Sequence, residues 1–262
     1  LRNKIDHALL RLPNILDKSV PIGKDASNNK TIRKWGKIKK IDYELKPHGE
    51  LAESIGIADF KNAAKVSGSG FVYLKGELAL LDLALQRFAI DFLIKKKFTL
   101  ILPPFMLNKK AYQGVTDLSA FEEVLYKIEK EDLYLIATSE HPLVALHKDA
   151  IFNKEDLPIK YVGISPCFRK EIGSHGVDTR GLFRMHQFNK VEQVVFCHPK
   201  DSHKLMEEIQ KNSEQMLQKL NIPYRVVAIC SADMGMIASK KYDIEAYFPR
   251  EKEYQEVTSA SN

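Results

Sequence analysis

Two nearby segments of this chain carry charged and aromatic residues in alternation. They read Cys167-Phe168-Arg169-Lys170-Glu171 and Arg184-Met185-His186-Gln187-Phe188-Asn189-Lys190-Val191-Glu192. Alternate side chains of a β-strand share one face, so a strand in the first segment would point Arg169 and Glu171 together. In the second segment the same alternation predicts one face formed by Arg184, His186, Phe188, Lys190 and Glu192.

This face has the chemistry to bind a nucleotide and an amino group. An aromatic ring could stack on a purine, a guanidinium could bind two phosphate oxygens, and a carboxylate could bind an ammonium group. The guanidinium could also follow the charge that develops in an in-line displacement at phosphorus. The alternative, from spacing alone, is a half-exposed strand whose charges form salt bridges with its neighbour.

The flanking sequence predicts many strands and few long helices. Leucines recur at intervals of three and four over 76–96 and predict an amphipathic helix, and a second helix is predicted from a cap at 201–202 to Leu220. Because the strands follow one another through hairpins and loops, the pattern indicates an α+β fold with a mostly antiparallel sheet flanked by helices. Strands are predicted over 71–74, 99–102, 125–128, 133–137, 160–165, 184–196, 224–229, 242–248 and 254–258.

The net charge is concentrated at the start of the chain. Residues 1–50 hold 12 Lys/Arg and 6 Asp/Glu, which equals the +6 of all 262 residues. Residues 13–48 are predicted to be a basic connecting segment, either a solvated surface loop or a strip that faces a nucleic acid.

Apolar runs are interrupted by charge well before the ~20 residues that a bilayer requires. Cys167, Cys197 and Cys230 lie far apart in sequence, which favours a reducing cytoplasm.

The two opening segments and the loop between them resemble the second motif of the class II aminoacyl-tRNA synthetases, in its seryl version. The matching pieces are Phe-Arg-x-Glu at 168–171, Gly-Ser-x-Gly-x-Asp-Thr-Arg-Gly-Leu at 173–182 and Arg-Met-His-Gln-Phe-x-Lys-Val-Glu at 184–192. The chain is thereby identified as a member of the bacterial-type seryl-tRNA synthetase family. The resemblance extends along the whole chain, and Leu102-Pro103-Pro104 is similar to the first motif, which builds the dimer interface in this family.

The resemblance implies an ATP site and an activity. Arg169 would hold the α-phosphate, and Glu171 would contact the ATP side. Phe188 would stack on adenine beside the backbone of Met185, while Arg184 would assist with the phosphates. The implied enzyme is a serine–tRNA ligase that forms seryl-adenylate with ATP and passes the seryl group to the 3′ end of tRNA(Ser).

The resemblance also implies a serine site. Arg169 would bind the serine carboxylate, and Glu192 would bind the serine substrate. Thr138 and Glu140 match the Thr-x-Glu segment that recognises serine in the family, and a hydroxyl two residues from a carboxylate suits an ammonium group. The alternative is that Ser139 simply caps a helix that starts at Pro142.

Magnesium and the acceptor end of the tRNA are the other implied ligands. Glu256 and Ser259 match the Glu-x-x-Ser segment that holds Mg²⁺ and ATP phosphates, and the alternative for them is a buried strand end with ordinary polar caps. The loop with Gly173 and Arg180 would approach the acceptor end. No zinc is expected, because the histidines show no metal-ligand spacing and the Thr-x-Glu segment is intact.

The domain boundaries expected from the resemblance are 1–12 for the end of a tRNA-binding helical arm, 13–48 for the basic linker and 49–262 for a catalytic domain. Most of the arm and the third motif, Gly-x-Gly-x-x-Arg, are missing from this sequence. We expect a truncated piece of a homodimeric protein with weak or no aminoacylation by itself. The rival interpretations are a paralogue that adenylates another small amino acid and a catalytically dead paralogue that binds RNA or regulates a partner.

Overall fold

The computed structural model describes Ile5, residues 8–171 and residues 181–262. The chain divides into two compact units. We call Leu1–Leu45 with Cys197–Asn262 the terminal unit, and Lys46–Phe196 the central unit. None of the helices within the described residues is long and apolar enough to cross a membrane.

The described residues form helices and strands in a mixed order along the chain. The helices are α1 (His48–Ser54), α2 (Phe60–Ser67), α3 (Gly76–Lys95), α4 (Lys109–Gln113), α5 (Leu118–Phe121), α6 (Glu140–Ala145) and α7 (Ser202–Lys219). The strands are β1 (Lys30–Trp35), β2 (Ala58–Asp59), β3 (Tyr73–Leu74), β4 (Thr99–Ile101), β5 (Met106–Asn108), β6 (Leu133–Leu135), β7 (Ile159–Phe168), β8 (Gln187–Phe196), β9 (Tyr224–Ala228), β10 (Lys241–Phe248) and β11 (Glu253–Ser261).

The terminal unit is built on one antiparallel sheet with the strand order β1-β9-β10-β11. Val226 of β9 and Ile244 of β10 are fully buried and cluster with Met206 of α7. Helix α7 therefore covers one face of this sheet. Arg225 and Asp243, which alternate with those apolar residues, lie on the other face.

Strand β1 lies inside the segment that the sequence predicts to be a basic linker. Its basic residues obscured the strand signal, although Thr31, Ile32 and Trp35 all favour strands. Trp35 stacks on Tyr224, with ring centroids 5.9 Å apart and planes inclined by 20°. This stacking, together with pairing to β9, makes part of the predicted linker an element of the sheet.

The central unit contains a three-stranded sheet with the order β4-β7-β8. Strands β7 and β8 are antiparallel over ten residue pairs, whereas β4 runs parallel to β7. Helix α3 confirms the predicted helix to within one residue at its C-terminus, but Leu81 and Leu85 of its predicted apolar side are exposed. A second cluster, which includes the fully buried Tyr112, Leu125, Tyr134 and Ile136, forms a core in the same unit.

The strands around the opening segments differ from the prediction at their ends. Strand β7 continues to Phe168 instead of ending at residue 165, and β8 begins at Gln187 instead of residue 184. The predicted strand over 125–128 is reduced to an isolated bridge between Lys127 and Tyr134, and β6 pairs with the unpredicted β5. Only β4 with β7 is parallel among the strand pairs of the described residues, so the α+β prediction is confirmed.

Candidate functional site

One face of the β7–β8 pair carries three of the candidate residues that the alternation predicted. The register places Phe188 opposite Cys167, Lys190 opposite Ser165 and Glu192 opposite Gly163. Directly opposed residues of antiparallel strands point to the same side. The common face of Phe188, Lys190 and Glu192 is therefore confirmed.

The predicted strands do not extend to three of the residues that the alternation assigned to these faces. Arg184 and His186 precede β8, and Glu171 follows the end of β7 with a left-handed backbone of φ 45°. Arg184 Nη1 lies 2.8 Å from Glu171 Oε2, so these two residues form an ion pair. Strand alternation could not place them because the backbone has already left the sheet.

His186 supports the site from behind rather than lining it. Its ring stacks on Phe71 with centroids 5.2 Å apart, and its Nδ1 lies 2.8 Å from the Tyr126 hydroxyl. The backbone N–H of Arg169 donates to the His186 carbonyl at 2.9 Å. A Cβ at Gly70 would lie 2.3 Å from the His186 ring, so this packing requires glycine there.

Arg169 is held against the ring of Phe188. The guanidinium carbon lies 5.0 Å from the ring centroid, and Nε donates to the carbonyl of Ala137 at 3.2 Å. Cation–π contact and the carbonyl together fix the plane of the guanidinium. A fixed planar fork beside an aromatic ring is suited to a ligand that combines a planar base with a phosphate.

Thr138 joins the helix α6 segment to the β8 face. Its hydroxyl donates to Glu192 Oε2 at 3.1 Å, and it accepts from Lys190 Nζ at 2.9 Å and from the Glu140 N–H at 3.2 Å. Lys190 also forms an ion pair with Glu192 Oε2. The structure thus brings together three residues predicted for the serine site, Thr138, Glu140 and Glu192, and adds Lys190.

The capping alternative for this segment is not supported. Ser139 occupies the N-cap position of α6, but its side chain makes no capping hydrogen bond, and its buried Oγ has no partner among the described residues. Gly163 of β7 lies against the start of helix α6. A Cβ at this position would be 2.7 Å from Leu143 Cδ1 and 3.2 Å from Ser139 Cβ. This glycine lets α6 approach the sheet.

Burial and neighbouring charges shift the pKa values of the titratable groups around Thr138. Burial raises the pKa of Glu140, and the nearby Glu192 carboxylate raises it further. Burial lowers the pKa of His141 to about 4, helped by the positive charges of Lys190 and Arg169. For Lys190, burial acts to lower the pKa, but attraction to Glu192 and Glu140 outweighs burial and the pKa is raised.

Glu256 and Ser259 lie on β11 in the terminal unit. Their spacing of three would place them on opposite faces of a regular strand, but the register with β10 shifts between Ile244 and Glu245 and leaves Val257 unpaired. This bulge brings Glu256 and Ser259 to the same face. Both are exposed, so they do not form a buried strand end.

Asp243 shares that face, because it pairs directly with Ser259. Its Oδ1 is buried without a hydrogen-bond partner among the described residues, and burial raises the pKa of its carboxyl. Carboxylate and hydroxyl oxygens on one face are the donors that Mg²⁺ prefers. Sequence reasoning missed Asp243, although its position within the predicted strand 242–248 was a usable signal.

Two predicted residues cannot be placed. Gly173 and Arg180, assigned to the tRNA acceptor loop, lie outside the described residues.

Met185 is buried and, with the start of β8 and helix α3, lines a cavity of about 420 Å³. No group of three or more His, Cys, Asp and Glu residues that could hold a metal occurs in the described part of the chain.

Comparison with known proteins gives consistent matches. Residues 124–262 match the family described as "tRNA synthetase class II core domain (G, H, P, S and T)". The serine–tRNA ligase of Methanocella arvoryzae is 58% identical over 261 residues, which is 100% of this chain and 61% of that protein. The chain therefore spans about three fifths of the length of this relative.

Two solved structures are similar over the whole chain. The crystal structure of seryl-tRNA synthetase from Pyrococcus horikoshii complexed with ATP has a TM-score of 0.96 and 49% identity, and the match covers 63% of that chain. The cytoplasmic serine–tRNA ligase from Naegleria fowleri in complex with AMP has a TM-score of 0.94 and 42% identity, again over 63% of its chain.

Proposed function

Because this chain belongs to the family of class II tRNA synthetase core domains, we propose that the protein containing it is a serine–tRNA ligase. The observation that carries the proposal is the cluster in which Thr138, Glu140 and Glu192 converge beside the Arg169–Phe188 pair. The identity of 58% to a serine–tRNA ligase supports the same choice of amino acid. ATP is the proposed energy source, and a relative of similar fold has been crystallised with it.

In the proposed first step, a serine carboxylate oxygen attacks the α-phosphorus of ATP and pyrophosphate leaves. Phe188 stacks on the adenine and Arg169 neutralises charge on the α-phosphate, with its plane already set by the Ala137 carbonyl. Arg184 and Glu171, paired at 2.8 Å, would serve the phosphate side and the ATP side. Positioning and electrostatics supply most of the rate, because no side chain is needed as a nucleophile.

In the proposed second step, a ribose hydroxyl at the 3′ end of tRNA(Ser) attacks the seryl carbonyl and AMP leaves. Discrimination against alanine would come from hydrogen bonds to the serine hydroxyl, since an analogue without it leaves buried polar groups unpaired. Gly173 and Arg180 remain the predicted contacts to the acceptor end.

Glu256 and Ser259 would hold Mg²⁺, with Asp243 on the same face. When bound, the ion would neutralise phosphate charge. A site for zinc is not proposed.

We also propose a homodimer in the cytoplasm. Helix α3 leaves Leu80, Leu81 and Leu83 between 53% and 66% exposed, which is unusual for one helix of a monomer. An apolar helix face of this kind suits a partner subunit. The domain boundaries that the resemblance implied stay predictions.

The proposed function is tested by ATP–pyrophosphate exchange with the full-length protein and a panel of amino acids. Exchange that depends on serine is expected, followed by charging of tRNA(Ser). Exchange with glycine or alanine but not serine would support a ligase for another small amino acid. Tight RNA binding without any exchange would support the catalytically dead paralogue.

A further inference from the structure

Lys190 has no assigned role, yet it contacts two of the residues predicted for the serine site, Thr138 and Glu192. It stands between Phe188 and Glu192 on the same face of β8, opposite Ser165. Its Nζ donates to Thr138 Oγ1 at 2.9 Å and pairs with Glu192 Oε2. The Lys190 side chain is half-buried, and its ammonium is both paired with a carboxylate and hydrogen-bonded, as a partly desolvated charge requires.

The Thr138 hydroxyl has no acceptor capacity left for a substrate. A hydroxyl donates one hydrogen bond and accepts two. Thr138 donates to Glu192 Oε2 and accepts from Lys190 Nζ and the Glu140 N–H. The hydroxyl that matches the serine-recognition segment is therefore engaged with the protein itself.

Both contacts to the Glu192 carboxylate use the same oxygen. The Thr138 hydroxyl lies 3.1 Å from Oε2, and Lys190 pairs with Oε2 as well. Neither contact occupies Oε1. Two partners on one oxygen fix the carboxylate plane and hold the other oxygen in a defined direction.

From this geometry we infer that Lys190 is a positioning residue for serine. Together with Thr138 it immobilises Oε2 of Glu192, so that Oε1 is presented to the substrate, and it balances the negative charge of Glu192 and Glu140. The inference rests on the proposed function, because it takes serine as the ligand of Glu192. Lys190 acts through Glu192 and not by touching the substrate.

The test compares Lys190→Met with Lys160→Met in full-length protein. Lys160 lies on the neighbouring strand β7 and points to the opposite face, over the ring of Phe98. In serine-dependent ATP–pyrophosphate exchange, Lys190→Met is expected to raise the KM for serine by about 10- to 100-fold. The KM for ATP should stay within about twofold of wild type, since removal of a charge-assisted bond affects only the serine side. Lys160→Met should change neither constant.

Two further variants distinguish a loss of serine positioning from a loss of folding. Lys190→Arg keeps the charge and should recover most of the serine affinity, whereas Thr138→Val keeps Lys190 and should raise the serine KM alone. In the Lys190→Met, Thr138→Val double variant the two effects should not add, because both act on one oxygen.

Several outcomes would overturn the inference. An unchanged serine KM in Lys190→Met would mean that Glu192 needs no support. A lowered KM would mean that Lys190 competes with the substrate ammonium, and an equal rise for serine and ATP would indicate a general structural role. A wild-type protein that fails to exchange with serine would instead refute the proposed function.

Discussion

At the scale of single residues, the side chains proposed to bind ligands in the central unit are held in place by neighbouring groups. Arg169 lies against Phe188 and is oriented by the Ala137 carbonyl. Thr138 and Lys190 converge on one oxygen of Glu192. Each functional side chain thus has at least one neighbour that limits its orientation before any ligand arrives.

Arg169→Lys is expected to lower the kcat of serine-dependent exchange by about 100-fold or more. Lysine keeps the charge but loses the planar fork and its stacking on Phe188. Steady-state exchange kinetics measure the effect. Lys170→Met is the matched control, because Lys170 contacts the Tyr126 ring and is not assigned to the site. Equal activity of Arg169→Lys and wild type would exclude a geometric role for the guanidinium.

His141 predicts a pH dependence of stability. Its pKa falls from 6.5 to about 4 on folding, mainly because of burial, so the folded protein prefers the neutral ring. The contribution of His141 to the free energy of unfolding is complete above pH 6.5. It is lost as the pH falls towards 4, because in that range the ring binds a proton in the unfolded chain but not in the folded one. The loss should approach about 3 kcal/mol.

Denaturant unfolding of wild type and His141→Phe between pH 4 and 7.5 measures this loss. Phenylalanine retains a ring for the edge-to-face contact with Tyr112 but cannot be protonated. The variant should therefore show a flatter pH profile than wild type. His198→Gln, at an exposed position, should keep the wild-type profile. Parallel profiles for His141→Phe and wild type would contradict the assignment.

At the scale of elements, the candidate site residues of each unit depend on one local feature, a close approach in the central unit and a bulge in the terminal unit. Helix α6 contacts β7 at Gly163, where an added Cβ would lie 2.7 Å from Leu143 Cδ1 and would force that side chain to shift. In β11 the bulge at Val257 brings Glu256 and Ser259 to one face. In both cases a local backbone feature decides where functional side chains point.

Gly163→Ala is expected to destabilise the protein by about 1–3 kcal/mol, because the added methyl group meets Leu143 Cδ1 at 2.7 Å. Since α6 follows Thr138 directly, serine affinity should fall as well. Thermal unfolding and serine titration measure the two effects. Gly114→Ala is the control, since a Cβ at Gly114 has its nearest neighbour at 3.4 Å. If Gly163→Ala were as stable as wild type, α6 would be able to shift away from β7 without a loss of folding stability.

At the scale of the whole molecule, the charge distribution bears on the proposed tRNA partner. The entire +6 is accounted for by residues 1–50, and part of that region forms β1. Lys37, Lys39 and Lys40 follow this strand and are exposed. Exposed cations near the start of the chain are available to phosphates of a large anionic partner.

We expect weaker tRNA binding in a triple variant that carries Lys37→Ala, Lys39→Ala and Lys40→Ala. Its binding should also depend less on salt. The slope of the logarithm of the binding constant against the logarithm of the salt concentration should fall by about one unit for each phosphate that is no longer neutralised. Serine-dependent exchange should be unaffected. Filter binding at several salt concentrations measures the slope. The control is a second triple variant, which removes the same charge from other exposed positions through Lys200→Ala, Lys204→Ala and Lys211→Ala. It should leave the slope unchanged. Identical slopes for wild type and the first variant would show that 37–40 is only a solvated surface.

The sequence by itself determined what depends on regular local geometry. Alternation along β8 was enough to place Phe188, Lys190 and Glu192 on one face, and leucine spacing was enough for α3. The motif pattern over 168–192 also indicated the family before any fold was known. These features follow from strand and helix periodicity, which holds wherever the element is packed.

Only the tertiary structure decided the features that depend on residues distant in sequence. It ended β7 before Glu171 and paired that residue with Arg184, and it made β1 a strand by pairing it with β9. It also joined Lys190 to Thr138, 52 residues away in sequence. Where a strand stops, where a bulge falls and which partner neutralises a buried charge are set by packing against the rest of the chain, and no local pattern contains that information.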